Sequence, residues 1–351
     1  MNNQLSLFNS LVKDKQSTSQ PKQLKLAQEN KVKSQTIEKE TNTVKSTNYY
    51  KPYVPHIEKK LLDLINKPNS IKYPNLDKEL PHGCLRDKVI CCDILLSKRW
   101  QYYYYLLHIE KRIGQYQLVK LYEYIRSNNQ EKIQPLYENI ILEAEDFPQI
   151  EFNRSEIVDN MLNQCIKTIT ANTGKDHRQA VEFLIDFILY GMGSNSVTEL
   201  PKNKRSKKAI MNLYQLFDAT KMIAYPYDYF GKLLSESTTN KYNSNAFYPT
   251  PIELGEILTT LTLGIENDNP MPTFKKFCEP CVGTGAIALT GSNYHLSGYF
   301  SEVNLLTLKA CLVQFYMYAP WFAEGIWWLG GHFKCMNTLT NEVTFIVYDY
   351  L

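Results

Sequence analysis

The chain has 351 residues, with 39 Lys and Arg against 36 Asp and Glu for a net charge of +3, and 44% of its residues are hydrophobic. That length exceeds the roughly 100–200 residues of a typical domain, so one large domain or two smaller ones with a real core is expected, and the mild charge permits a nucleic-acid partner without requiring one. The longest apolar run, VEFLIDFILYGMG from Val181 to Gly193, is broken by acids and falls short of the ~18 residues of a membrane span. The first thirty residues lack the apolar stretch of a signal peptide, so a cytoplasmic protein with no membrane partner is expected.

Residues 1 to about 55 are rich in Lys, Gln, Ser, Thr and Asn with almost no apolar periodicity, which predicts a disordered tail. Within it stands QLSLF, where Gln4, Leu5, Leu7 and Phe8 form an apolar anchor on a leash. The pentapeptide resembles the segment with which many bacterial proteins dock on the DNA sliding clamp. The resemblance implies a bacterial, phage or plasmid-encoded protein held near DNA, and a segment that orders on binding.

From about residue 56 to residue 240 the pattern is mainly helical. KRWQYYYYLLHIEKRI, from Lys98 to Ile113, interleaves aromatic and basic residues. Such a stripe stacks on bases or packs in a core, and burial is the commoner fate of aromatic residues. KDHRQAVEFLIDFILYGMG repeats apolar residues at spacings of three and four and ends on glycine, as a buried helix does. Then, in LPKNKRSKKAIMNLYQLF, Lys202, Lys204, Arg205, Lys207 and Lys208 crowd what reads as a loop before a helix. The cluster would neutralise phosphates of double-stranded DNA, or it is a solvated loop.

Residues 241–351 carry the clearest chemistry. In FCEPCVGTGAIAL a short apolar run meets an acid, a proline and two glycines, and then an Ala/Ile/Leu run begins. This is the strand, loop and helix order of a nucleotide-binding turn, in which Gly283 and Gly285 allow close backbone approach. Seventeen residues beyond Gly285 lies Glu302, near the distance at which an acid at the tip of the second strand accepts ribose hydroxyls. The run Gly283 to Ala288 satisfies GxGxxA, so a dinucleotide cofactor such as NAD stays open at this point. The acid Glu279 at the strand end would instead meet a cationic cofactor group. Eight scattered cysteines read as free thiols, and the Cys278/Cys281 pair lacks the second pair or histidines that would complete a zinc site.

FYPTP at Phe247 to Pro251, EPCVGTG at Glu279 to Gly285 and the acid Glu302 stand in an order that resembles the N6-adenine DNA methyltransferase family. The upstream PYDYFGKLLSES resembles the helix that precedes the same element in relatives of type I modification subunits. The resemblance implies a Rossmann-like sheet and S-adenosylmethionine as cofactor. By position, Tyr248, Thr250 and Pro251 would line its methionine end, Glu279, Pro280, Gly283 and Gly285 would form the loop beneath it, and Glu302 would hold the ribose. Asn337, in MNTL, would stand where the family often has an acid at the adenine ring, and its amide oxygen still accepts from an exocyclic amine.

The family's catalytic element, an Asp, Asn or Ser followed by Pro-Pro-Tyr or Pro-Pro-Phe, grips a flipped-out adenine. No Pro-Pro pair occurs in the chain. TFIVYDYL, Thr344 to Leu351, reads as the strand that should lead to it, with Asp349 and Tyr350 at the expected place. The expected fold is therefore α/β, a partial methyltransferase sheet behind a helical region and a disordered tail. Three readings follow: a methylase completed by a specificity or complementing subunit, a truncated or inactive relative that binds DNA or the clamp, and, disfavoured by FYPTP and by EP before the glycines, an NAD-dependent enzyme.

Overall fold

A computed structural model describes residues 80–142, 147–236, 248–263, 272 and 275–350. The tail expected over residues 1–55, with Gln4, Leu5, Leu7 and Phe8, lies outside the described residues. Helices α1 (Arg86–Leu95), α2 (Arg99–Leu107), α3 (Glu110–Ile113), α4 (Gln115–Arg126) and α5 (Gln130–Leu142) come first. They are followed by α6 (Glu156–Thr173), α7 (His177–Met192), α8 (Lys204–Leu216), α9 (Ala219–Ala224), α10 (Tyr229–Glu236) and α11 (Ile252–Leu263). The C-terminal part alternates: β1 (Phe277–Glu279), α12 (Ala286–Gly291), β2 (Gly298–Glu302), α13 (Leu305–Tyr318), α14 (Pro320–Ala323), β3 (His332–Asn337) and β4 (Glu342–Asp349). The architecture is mixed α/β, mostly helical, with a small sheet at the C-terminal end. No helix among the described residues is long and apolar enough to cross a membrane.

The central helix α7 starts and stops where its sequence dictates. The Asp176 carboxylate accepts from the Gln179 N–H at 2.8 Å while the Gln179 side chain accepts from the Asp176 N–H at 3.4 Å, a reciprocal cap for two otherwise unpaired donors. Gly193, at φ +76°, ends the helix in a conformation that side chains resist. Between them Val181, Phe183, Leu184, Ile185, Phe187, Ile188 and Leu189 are all buried, so the helix is apolar nearly all round and lies inside.

The tyrosine-rich segment is also core. In α2, Trp100, Tyr102, Tyr103 and Leu106 are buried, and the Trp100 indole donates to the Tyr316 carbonyl at 2.9 Å. Fully burying side chains of this size contributes roughly 1.5–3 kcal/mol each, which decides between packing and base stacking for this stripe. Residues of α2, α7 and α13 belong to one hydrophobic core.

The sheet has the order β1-β2-β3-β4, with β1, β2 and β3 parallel and β4 antiparallel to β3. Phe300 and Phe333 face α13 and α14, where Phe300 meets Phe322 at 4.7 Å and Phe333 meets Phe315 at 5.3 Å between ring centroids. The opposite face carries Tyr299, Lys334, Asp349 and the half-exposed Val343 and Ile346. Gly331 enters β3 at φ +112°, and a Cβ there would stand 2.5 Å from the Gly298 carbonyl oxygen. Close approach of two strands requires glycine at that point.

Candidate functional site

Because β1, β2 and β3 run the same way, Glu279, Glu302 and Asn337 all sit at the carboxyl ends of their strands, on one edge of the sheet. Ligands of open parallel sheets bind outside that edge. The glycine loop lies there. Gly283 and Gly285 adopt φ +58° and +95°, and the Gly285 N–H donates to the Val282 carbonyl at 2.8 Å. A Cβ on Gly285 would stand 2.8 Å from the Cys311 sulfur, so the loop rests directly on α13.

Three carboxylates gather under this loop. Glu302 accepts from the Gly283 N–H at 3.1 Å with one oxygen and from the Asn304 N–H at 2.9 Å with the other. Burial pushes the Glu279 carboxyl up to about 8 against a hydrogen bond from the Ala288 backbone, and the neighbouring Glu302 adds to the rise. Its Oε2 is cut off from solvent and has no hydrogen-bond partner. Asp228 is raised by burial, against hydrogen bonds from Gly231, Thr284 and Gln314. The buried Cys311 thiol is pushed up by burial and further by the charges of Glu279, Asp228 and Glu302. None of the three has an ion-pair partner among the described residues.

Asp228 is a residue that reading the sequence for a site overlooks. Its Oδ1 accepts from the Gly231 N–H at 2.8 Å and from the Gln314 amide at 2.9 Å, and its Oδ2 accepts from the Thr284 hydroxyl at 2.8 Å. A local signal does exist: an Asp three residues before the first N–H it satisfies, ahead of an apolar run, is a helix cap. A Cβ on Gly231 would lie 2.4 Å from Asp228 Oδ2, so the cap needs glycine there.

The PTP segment reaches the same region through α11. That helix lies on α12, with Gly255 close enough that a Cβ would sit 2.9 Å from the Ala286 carbonyl oxygen, and with the Thr259 and Thr290 hydroxyls 2.8 Å apart. Thr250 is half-buried and Pro251 exposed at the head of α11, while the Tyr248 ring is 80% exposed. Pro280, exposed in the loop, offers its carbonyl to the Ser301 hydroxyl at 3.1 Å and the Thr338 hydroxyl at 2.9 Å, which ties the three strand ends together. Asn337, half-buried beside Thr338, accepts from the Leu339 N–H at 3.0 Å.

Other expected residues are not brought to this edge. Since β4 runs antiparallel, Asp349 pairs with His332 at the opposite end of β3, on the order of 16 Å from Asn337 at ~3.3 Å per residue. Asp349 is ion-paired with Lys334 at 2.6 Å, and the Tyr350 hydroxyl donates to the Glu324 carbonyl at 3.3 Å. The basic run is helical where a loop was expected. Asn203 accepts from the Ser206 N–H at 2.9 Å and caps α8, so Lys204, Arg205, Lys207 and Lys208 belong to the helix and only Lys202 precedes it. All five are exposed. Cys278 and Cys281 are exposed free thiols, and no group of His, Cys, Asp and Glu able to hold a metal ion occurs among the described residues.

Comparison with protein-family models, with curated proteins and with solved structures finds no match to the chain.

Proposed function

We propose that the chain binds S-adenosylmethionine at the glycine loop and DNA through its basic helix, as a relative of the N6-adenine DNA methyltransferases with a partial Rossmann-like sheet. The observation that carries this reading is the set of acidic side chains at the loop. Three acidic side chains with no ion-pair partner among the described residues lie at it: Glu302 accepts from the Gly283 N–H, Asp228 accepts from the Thr284 hydroxyl, and the buried Glu279 Oε2, on a carboxyl that burial inclines to keep its proton, has no hydrogen-bond partner. A donor-rich cation suits such a setting, and the ammonium of a methionine moiety is one. A pyrophosphate would stand beside these acids with no cation among the described residues paired to them, which weighs against NAD.

In this reading Glu279 receives the ammonium, Gly283 and Gly285 let the backbone approach, Glu302 turns to the ribose, and Tyr248, Thr250 and Pro251 line the methionine end. Asn337 stands at the base. The bound cofactor supplies an electrophilic methyl group on a sulfonium. The grip on a flipped adenine would come from a specificity or complementing subunit, and without one the chain would act as a cofactor- and DNA-binding module, tethered to the sliding clamp through QLSLF.

Calorimetric titration tests the cofactor. S-adenosylmethionine should give saturable heat and NAD none, and Glu302→Ala should weaken the former at least tenfold, about 1.4 kcal/mol. Saturable NAD binding, or no response to either ligand by folded protein, would overturn the reading. Transfer of labelled methyl to unmethylated DNA, with and without candidate subunits, then separates methylase from binding module.

DNA contact is tested through salt. Lys204, Arg205, Lys207 and Lys208 sit in the first half of α8, where the helix dipole disfavours cations unless an anion is near. Replacing all four by Gln should lower the slope of log affinity against log salt by up to about 3.6, since each neutralised phosphate contributes roughly 0.9 to that slope. An unchanged slope would place the DNA elsewhere.

A further inference from the structure

We infer that Asp228 is a positioning residue for the glycine loop, holding it through the Thr284 hydroxyl in the shape that receives the cofactor and tying that shape to α10. The inference rests on the cofactor reading above. A loop with two glycines at positive φ has wide conformational freedom, and something must restrict it before a ligand arrives. Thr284, the side chain between those glycines, is 3% exposed and points inward. It is held twice: its hydroxyl donates to Asp228 Oδ2 at 2.8 Å, and its carbonyl accepts from the Gln314 amide at 2.6 Å. Side chain and peptide plane are therefore both fixed.

The same Gln314 amide donates to Asp228 Oδ1 at 2.9 Å, which closes a ring of three residues from three elements. Gln314 Oε1 accepts from the Phe230 N–H at 3.4 Å, so α10 and α13 grip the loop from both sides. A carboxylate suits the central place because every group facing it is a donor: the Gly231 N–H, the Gln314 amide and the Thr284 hydroxyl. Such a fully satisfied buried network specifies one arrangement. Asp228 would touch no cofactor atom and would act through Thr284.

The test uses the full chain with Thr284→Val, which keeps the shape and removes the donor, and Thr284→Ser, which restores it. Amide hydrogen exchange of the ligand-free protein should quicken at least tenfold over residues 282–286 in the valine variant, leave the α7 amides unchanged, and return to the original rate in the serine variant. Affinity for S-adenosylmethionine should fall at least tenfold with valine and recover with serine. Loop exchange equal to the parent, or a quickening shared equally by α7, would overturn the positioning role. If the parent chain takes no S-adenosylmethionine, the cofactor reading fails, and the exchange arm still decides whether Asp228 orders the loop.

Discussion

Arg99→Met should cost roughly 3–5 kcal/mol of folding free energy, measured as a shift in urea unfolding, because it strips several buried acceptors of their donor at once. The guanidinium is fully buried. It donates to the Pro148 carbonyl at 3.0 Å, to the Ser292 hydroxyl at 2.7 Å and carbonyl at 3.2 Å, to the Tyr318 carbonyl at 2.6 Å and to the Asn293 amide oxygen at 2.5 Å. It also lies 4.7 Å from the Trp321 ring centroid. Methionine fills much of the volume but donates nothing, so the ends of α12 and α13 keep carbonyls with no partner. Asp93, buried and accepting from the Trp100 N–H at 2.6 Å, would lose the favourable charge of Arg99 as well. A loss below about 1 kcal/mol would mean that water replaces the guanidinium.

Glu279→Gln should have two opposite effects. In the free protein the Glu279 carboxyl sits near 8 against an ordinary value of 4.5, because burial disfavours its charge. The folded state therefore holds a proton that the unfolded chain releases, and stability falls as pH rises from about 4.5 to about 8. Gln removes that dependence, so thermal unfolding of the variant should occur at higher temperature than the parent at pH 8 and should vary less with pH. Binding reverses the preference. A cationic ligand favours the ionised carboxylate, so the affinity of the parent for S-adenosylmethionine should climb at least tenfold between pH 6 and pH 9 with release of a proton. The ligand's own amine titrates in the same range, and the Gln variant, which shares that contribution, isolates the part due to Glu279. Parallel pH profiles for parent and variant would show that Glu279 does not meet the cation.

Much of the fold is readable where local chemistry acts alone. Asp176, Gln179 and Gly193 mark both ends of α7 because caps are satisfied within a few residues, and Glu279, Gly283 and Gly285 announce a loop because only glycine serves there. The start of α8 escapes such reading because a run of cations resembles a solvated loop, whereas Asn203 supplies a cap and Lys and Arg propagate helix well. Direction is a different matter. FIVYD reads as a strand from its residue types, but alternation is the same for parallel and antiparallel neighbours, so nothing local places Asp349 at the far end of β3. Arg99 resembles a charge flanking an aromatic stripe, since its acceptors lie between 49 and 219 residues away in the chain. The triangle of Asp228, Thr284 and Gln314 spans 86 positions, and only Asp228's role as a cap has a local signature.

Because the helices and the sheet share one core, such a protein is constrained in how it changes over generations. Arg99 and Trp100 in α2 hold the far end of α13 through the Tyr318 and Tyr316 carbonyls, and Asp228 in the segment before α10 holds the glycine loop. A crossover in the gene between the helical part and the sheet would separate each donor from its acceptor in one event. The two parts are thus poorly suited to exchange between lineages. Variation should accumulate as paired substitutions across the seam, with the glycine loop inherited together with the helices that brace it.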